Sequence, residues 1–166
     1  MRTNRIGTWL LALFLLLAPA ASGHAQSPTP RAPEHALAAI VVNSLGDEGD
    51  PDPGDGICDT KGRRNPPTEY SGSCTLRSAI DTANATLETD TISFSAVGTI
   101  QPADAPLTTI TAPLIIQGSG QVLDGSLLTG STYAGLSTST TWGKGGVTIS
   151  GLTIQKFNFA GIALGD

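Results

Sequence analysis

Six of the chain's 14 acidic residues fall in one short window, Gly46–Asp59, and three of them have a spacing that suggests metal chemistry. Asp50, Asp52 and Asp55 stand on a proline- and glycine-broken stretch. Calcium takes several carboxylate and carbonyl oxygens from such a flexible loop, so these three aspartates are candidate Ca2+ ligands. The EF-hand pattern is not met, because the third aspartate stands one residue late and no glutamate closes the loop. The competing reading is a solvated acidic loop whose aspartates bond their own backbone in tight turns. Both readings stay open at the level of sequence.

Cys58 and Cys74 are the only two cysteines, and His24 and His35 the only two histidines. Both histidines precede the body of the chain. That excludes a Ser-His-Asp or Cys-His centre and a histidine-ligated metal from the body. A catalytic thiol would lack its base, so in an oxidising compartment the cysteine pair reads as a disulfide. It would close a loop holding Lys61, Arg63, Arg64, Pro66 and Pro67. Past residue 95 the charged residues are Asp104, Asp124, Lys144, Lys156 and Asp166. They show none of the paired-carboxylate spacing that glycoside cleavage uses, so catalytic residues are not expected in this chain.

An oxidising compartment is implied by the first 25 residues. Arg2 and Arg5 precede the apolar run Trp9–Leu17, and Gly23 and Ala25 occupy the −3 and −1 positions of a cleavage site. The run is too short for a bilayer span of about 20 residues, and Pro19 interrupts it. Residues 1–25 therefore read as a cleaved secretory signal and 26–37, with Pro28, Pro30 and Pro33, as a linker. No second long apolar run exists, so no membrane span is expected after cleavage. A net charge of −5 and only 14% charged residues, without a basic cluster, exclude a nucleic-acid partner. Twenty glycines and 11 prolines argue against a helical bundle or coiled coil.

Two kinds of element must position these residues. Leu76, Ala79, Ile80 and Ala83 stand at i, i+3, i+4 and i+7, one stripe of a short helix that Ser73 or Thr75 caps and Asn84 ends. Asn84-Ala85-Thr86 also fits a glycosylation sequon, which matters only in a eukaryotic host. Ile40–Val42 begins the body as a strand, and short β-branched runs return after the helix at 91–94, 98–101, 107–110, 114–117, 121–124, 147–149, 152–155 and 161–164. A Gly/Ser/Thr-rich insertion, about 125–146, lies between two similar stretches, Leu114–Gly118 and Leu152–Lys156.

Gly54-Asp55-Gly56-Ile57-Cys58, then Cys74-Thr75-Leu76-Arg77-Ser78-Ala79-Ile80, Ala83-Asn84 and Asp90-Thr91-Ile92-Ser93-Phe94, resemble the CSLREA domain over roughly Ile40–Phe94. That family is an N-terminal module of exported bacterial proteins, commonly followed by right-handed parallel β-helix repeats. Thr75 replaces a serine of the motif and Ser78 a glutamate, so no role for that carboxylate carries over. The resemblance implies a CSLREA-like cap over 38–94 and a partial right-handed parallel β-helix over 95–166; the length leaves room for about three coils, and with no terminal cap in view a truncated reading frame is expected. An antiparallel β-sandwich is the alternative.

Ile92, Phe94, Ile100, Ile115, Val122, Ile149, Leu152, Ile154 and Ile162 are the interior candidates. The helix stripe is expected to close one end of the coil stack. Asn158 is expected to satisfy turn backbone. Tyr133 and Trp142 are read as packing residues or as glycan contacts. The function expected is a secreted or cell-surface β-helix protein with a structural, adhesive or glycan-contacting role. Its expected partner is an extracellular glycan or a surface protein. The alternatives are a calcium-dependent binding module, or the N-terminal part of a polysaccharide lyase or hydrolase whose active site lies elsewhere.

Overall fold

A computed structural model of the chain describes residues 39–61, 72–130, 132–139 and 146–165. Residues 1–38, where the sequence is read as a secretory signal and a linker, lie outside them, as do residues 62–71, Trp142, Lys144 and Asp166. The elements in chain order are β1 (Ala39–Val42), α1 (Leu76–Asn84), β2 (Asp90–Phe94), β3 (Thr99–Ile100), β4 (Leu114–Asp124), β5 (Ala134–Thr138), β6 (Val147–Gln155) and β7 (Ala160–Leu164). Short 3-10 turns fall at Pro53–Asp55 and Gly125–Leu127.

Every strand pair is parallel, which overturns the antiparallel sandwich. One sheet runs β1-β2-β4-β3 with β6 also on β4, and a second joins β5 to β7; neither closes on itself. Parallel strands need long crossovers, and here the crossover from β1 to β2 carries the acidic window, the disulfide loop and α1. The register puts like on like: Ile40 pairs with Ile92, Ile92 with Ile116, and Ile116 with Ile149. Ile100, Leu123 and Ile154 form a second row. Ile92, Ile100, Ile116 and Leu123 are fully buried in a core that also takes in Leu76, Ile80, Ile110, Leu114 and Leu136.

Three interior expectations are corrected. Ile115 and Val122 are half-exposed, while Leu114, Ile116 and Leu123 fill the core. Leu114-Ile115-Ile116 and Val122-Leu123 offer apolar residues on both faces, so alternation alone leaves the phase open, and one residue of slip exchanges the faces. Ile162 is exposed because β7 pairs with β5 alone. The supposed insertion contains β5, whose Ala134, Gly135, Leu136 and Thr138 are buried. The run 107–110 contributes an isolated parallel bridge, Ile110 to Thr138, rather than a strand.

β4 and β6 each span two of the short runs expected from sequence, with a register shift between Gln117 and Gln121. Gly151 sits at that corner with φ +67°, and a Cβ there would lie 1.9 Å from the carbonyl oxygen of Gly118. Only glycine supplies both the left-handed backbone and the close approach.

Candidate functional site

The chemistry-bearing residues gather where α1 meets the acidic window, at the β1 end of the sheet. Thr75 caps α1: its side chain accepts from the Ser78 backbone N–H, and the Ser78 hydroxyl accepts from the Thr75 N–H. This is a capping box closed by serine at the position where glutamate commonly reaches back. The Thr75 hydroxyl also donates to the Glu48 carbonyl, tying the helix start to the window. Leu76, Ala79, Ile80 and Ala83 are all buried in the common core, as their spacing predicts.

The disulfide forms between Cys58 and Cys74, with Cα atoms 5.3 Å apart. It joins the end of the acidic window to the residue before the helix cap. Around it the Asn43 and Ser44 N–H groups donate to the Cys74 carbonyl, and the Cys74 N–H donates to Asn43 Oδ1. Buried Asp59 accepts from the N–H groups of Lys61 and Gly72. A cleft of about 340 Å³ lies here, lined chiefly by Ala39, Ile40, Val41, Ile57 and the two cysteines. Among the described residues its one titratable side chain is Asp59, already engaged by the Lys61 and Gly72 backbone.

The structure does not bring Asp50, Asp52 and Asp55 together around a common point. Asp50 accepts from the Asp52 N–H and from the Thr82 hydroxyl, and Asp55 accepts from the Ile57 N–H. These are turn and helix-docking roles. Among the described residues no group of three or more His, Cys, Asp or Glu is placed to hold a metal ion.

A second stripe of α1, polar rather than apolar, makes most of the helix's polar contacts. Arg77 donates to the Asp47 carboxylate through Nε and Nη2 (3.0 and 2.7 Å), and to the carbonyls of Asp47, Ala105 and Pro106. Asp47 accepts in turn from the Ala103 N–H. One turn on, Asp81 accepts from the Asp50 N–H and from the Thr108 hydroxyl. At the helix end Asn84 Nδ2 donates to the Thr109 carbonyl while its Oδ1 accepts from the Thr111 N–H. Positions i, i+4 and i+7 therefore grip the segment 103–111, as the apolar stripe grips the core. The available sequence signal was a polar i, i+4, i+7 stripe on a helix of only nine residues.

A smaller polar cluster joins β4 to β6. Asp124 accepts from the Ser126 N–H (2.9 Å), from Gln155 Nε2 (2.8 Å) and from Lys156 Nζ (2.9 Å). Hydrogen bonding from Ser126, then from Lys156, holds its carboxyl well below the usual carboxylate range despite its burial. Two of the scattered charges after residue 95 thus meet, as a cross-strand clamp. Asn158 Oδ1 accepts from the Tyr133 N–H and the Phe159 N–H donates to the Tyr133 carbonyl. The expected backbone-satisfying role of Asn158 therefore runs between successive passes of the chain.

No protein-family model matches the chain, and no curated protein or solved structure matches it. No helix among the described residues is long and apolar enough to cross a membrane.

Proposed function

We propose that this chain is the capped N-terminal end of a right-handed parallel β-helix in an exported protein, acting at the cell surface or in the secreted fraction as a structural, adhesive or glycan-contacting element. The observation that carries the reading is the row Ile40, Ile92, Ile116 and Ile149, stacked in parallel register with α1 buried against the same core. A repeat that cannot bury its own apolar face must stack on a neighbour, and the first one needs a cover. The CSLREA-like residues fall on that cover: the disulfide, the capping box, Arg77 and Asn84. Right-handedness follows from the rule for parallel crossovers. An exported surface is also where a disulfide-fastened cap persists.

The test is expression of the full chain in an exporting bacterial host, followed by fractionation and N-terminal sequencing. A mature chain starting at Gln26, outside the cytoplasm and oxidised at Cys58–Cys74, is the expected result. Intact Met1 and free thiols in the cytoplasm would sink the export reading. An array of extracellular polysaccharides separates a glycan-contacting role from a purely structural one, and turnover on the same array would establish the enzyme alternative. Heat on calcium titration would favour the calcium-dependent module instead.

A further inference from the structure

Asn84 has a geometry that the capping role does not require. Ile110 enters the second sheet by the usual parallel pattern: its N–H donates to the Ser137 carbonyl (2.8 Å), and its carbonyl accepts from the Ser139 N–H (2.9 Å). In an extended chain the backbone groups of the two flanking residues point to the opposite edge, where another strand would pair. Those groups are the Thr109 carbonyl and the Thr111 N–H, and both are taken by one side chain. Asn84 Nδ2 donates to Thr109 O at 2.9 Å, and Asn84 Oδ1 accepts from Thr111 N at 2.8 Å.

We propose that Asn84 is a one-residue surrogate strand: its carboxamide fills the place of a peptide unit and blocks that edge of the 109–111 segment against another extended chain. A carboxamide has the donor and the acceptor that one residue of a pairing strand presents, in a planar arrangement that only asparagine and glutamine carry. An open edge is a template for pairing with a second chain, so closing it confines strand addition to other edges. Arg77 and Asp81 hold the approach from the same helix through Ala105, Pro106 and Thr108, which fixes the carboxamide against its two partners. The occupant excluded is an extended segment of a second copy of this chain. The inference needs neither export nor a β-helix, only the pairing of Ile110 and the contacts of Asn84.

The experiment is amide hydrogen exchange on the full chain, paired with sedimentation over a concentration series. Asn84→Leu matches the side chain in size and favours the helix. It should speed exchange at Thr111 at least about tenfold while leaving Ile110 and Ile80 protected. It should also introduce concentration-dependent association beyond that of the unmodified chain. Asn84→Asp keeps an acceptor and loses the donor, so Thr111 should stay protected and association should rise less; this variant keeps the test open if the leucine variant fails to fold. Thr111 exchange unchanged in Asn84→Leu, or equally fast in both variants, overturns the surrogate. Faster exchange without any gain in association overturns the blocking role.

Discussion

Ile40 and Ile149 occupy the same row of the same sheet, one on each terminal strand, yet Ile40 is buried and Ile149 is half-exposed. The difference lies in what covers each end. On the β1 side the chain spends its whole first crossover on a cover: α1 supplies Leu76, Ile80 and Ala83 to the core, and a disulfide fastens the preceding loop. On the β6 and β7 side no described residue pairs with the outer edges, and Ile162 and Leu164 are 44% and 77% exposed. Burial of a sheet's end thus comes from an added element rather than from strand composition, since the row is isoleucine throughout.

The harshest way to break this contrast is to place a charge in each end. Ile80→Asp puts an unpaired carboxylate in a fully buried site and should cost about 4 kcal/mol or more, enough to abolish cooperative unfolding in urea. Ile149→Asp, at a site already half in water, should cost about 1–2 kcal/mol. Equal losses at the two positions would mean that α1 does not seal its end. Next in size is the fastening of the cover. Replacing Cys58 and Cys74 together by alanine should lower stability by about 3 kcal/mol, the loop-entropy value for a bridge of this span. A melt unmoved by the double substitution would assign the fastening of the cover to the Asn43 and Asp59 contacts instead.

Arg77→Leu tests the polar grip of the cover separately from its apolar one. Five hydrogen bonds to the acidic window and to 105–106 depend on this guanidinium, which is 14% exposed beside its partner Asp47. Leucine preserves the aliphatic stem and the helix, so the loss, about 2 kcal/mol, reports the charge-assisted bonds. It should appear in the unfolding midpoint and as faster exchange at the Ala103 amide, which donates to Asp47. Lysine at this position restores the charge but not the fork, so a full rescue by Arg77→Lys would count against the multidentate grip.

What sequence revealed of the two ends differs for physical reasons. The apolar stripe of α1 was legible because burial imposes a period, and the cysteine pairing because a closed pair needs no spatial information. The polar stripe Arg77, Asp81 and Asn84 has a visible spacing, but its grip was not legible, because its partners, backbone groups together with the side chains of Asp47 and Thr108, lie 25 to 31 residues away in sequence. In β5 the run Ala-Gly-Leu-Ser-Thr carries just one β-branched residue, so propensity does not mark it and its burial does. In β4 the apolar residues run together, so the core phase is set by the register with β2 and β6 rather than by alternation. The acidic window shows the converse: its composition suggested convergence, and local turn bonding dispersed the carboxylates.

The smallest expected effect belongs to the open end, whose polar clamp is Asp124 with Ser126, Gln155 and Lys156. Lys156 takes a left-handed φ of 58°, a strained conformation for a lysine, and its ammonium reaches Asp124 from there. The carboxyl of Asp124 is held below its ordinary value in the folded chain, by Ser126 first and Lys156 next. A carboxylate lowered on folding adds stability that is fully present above the unfolded value, about 3.9, and lost as pH falls towards the folded one. Asp124→Asn should therefore lower the urea midpoint modestly near neutral pH, and the gap to the unmodified chain should narrow as the solution is taken below about pH 4. A gap that keeps its size across that range would mean the clamp acts through shape rather than charge. The uncovered end would then be held to β4 by backbone pairing and packing alone.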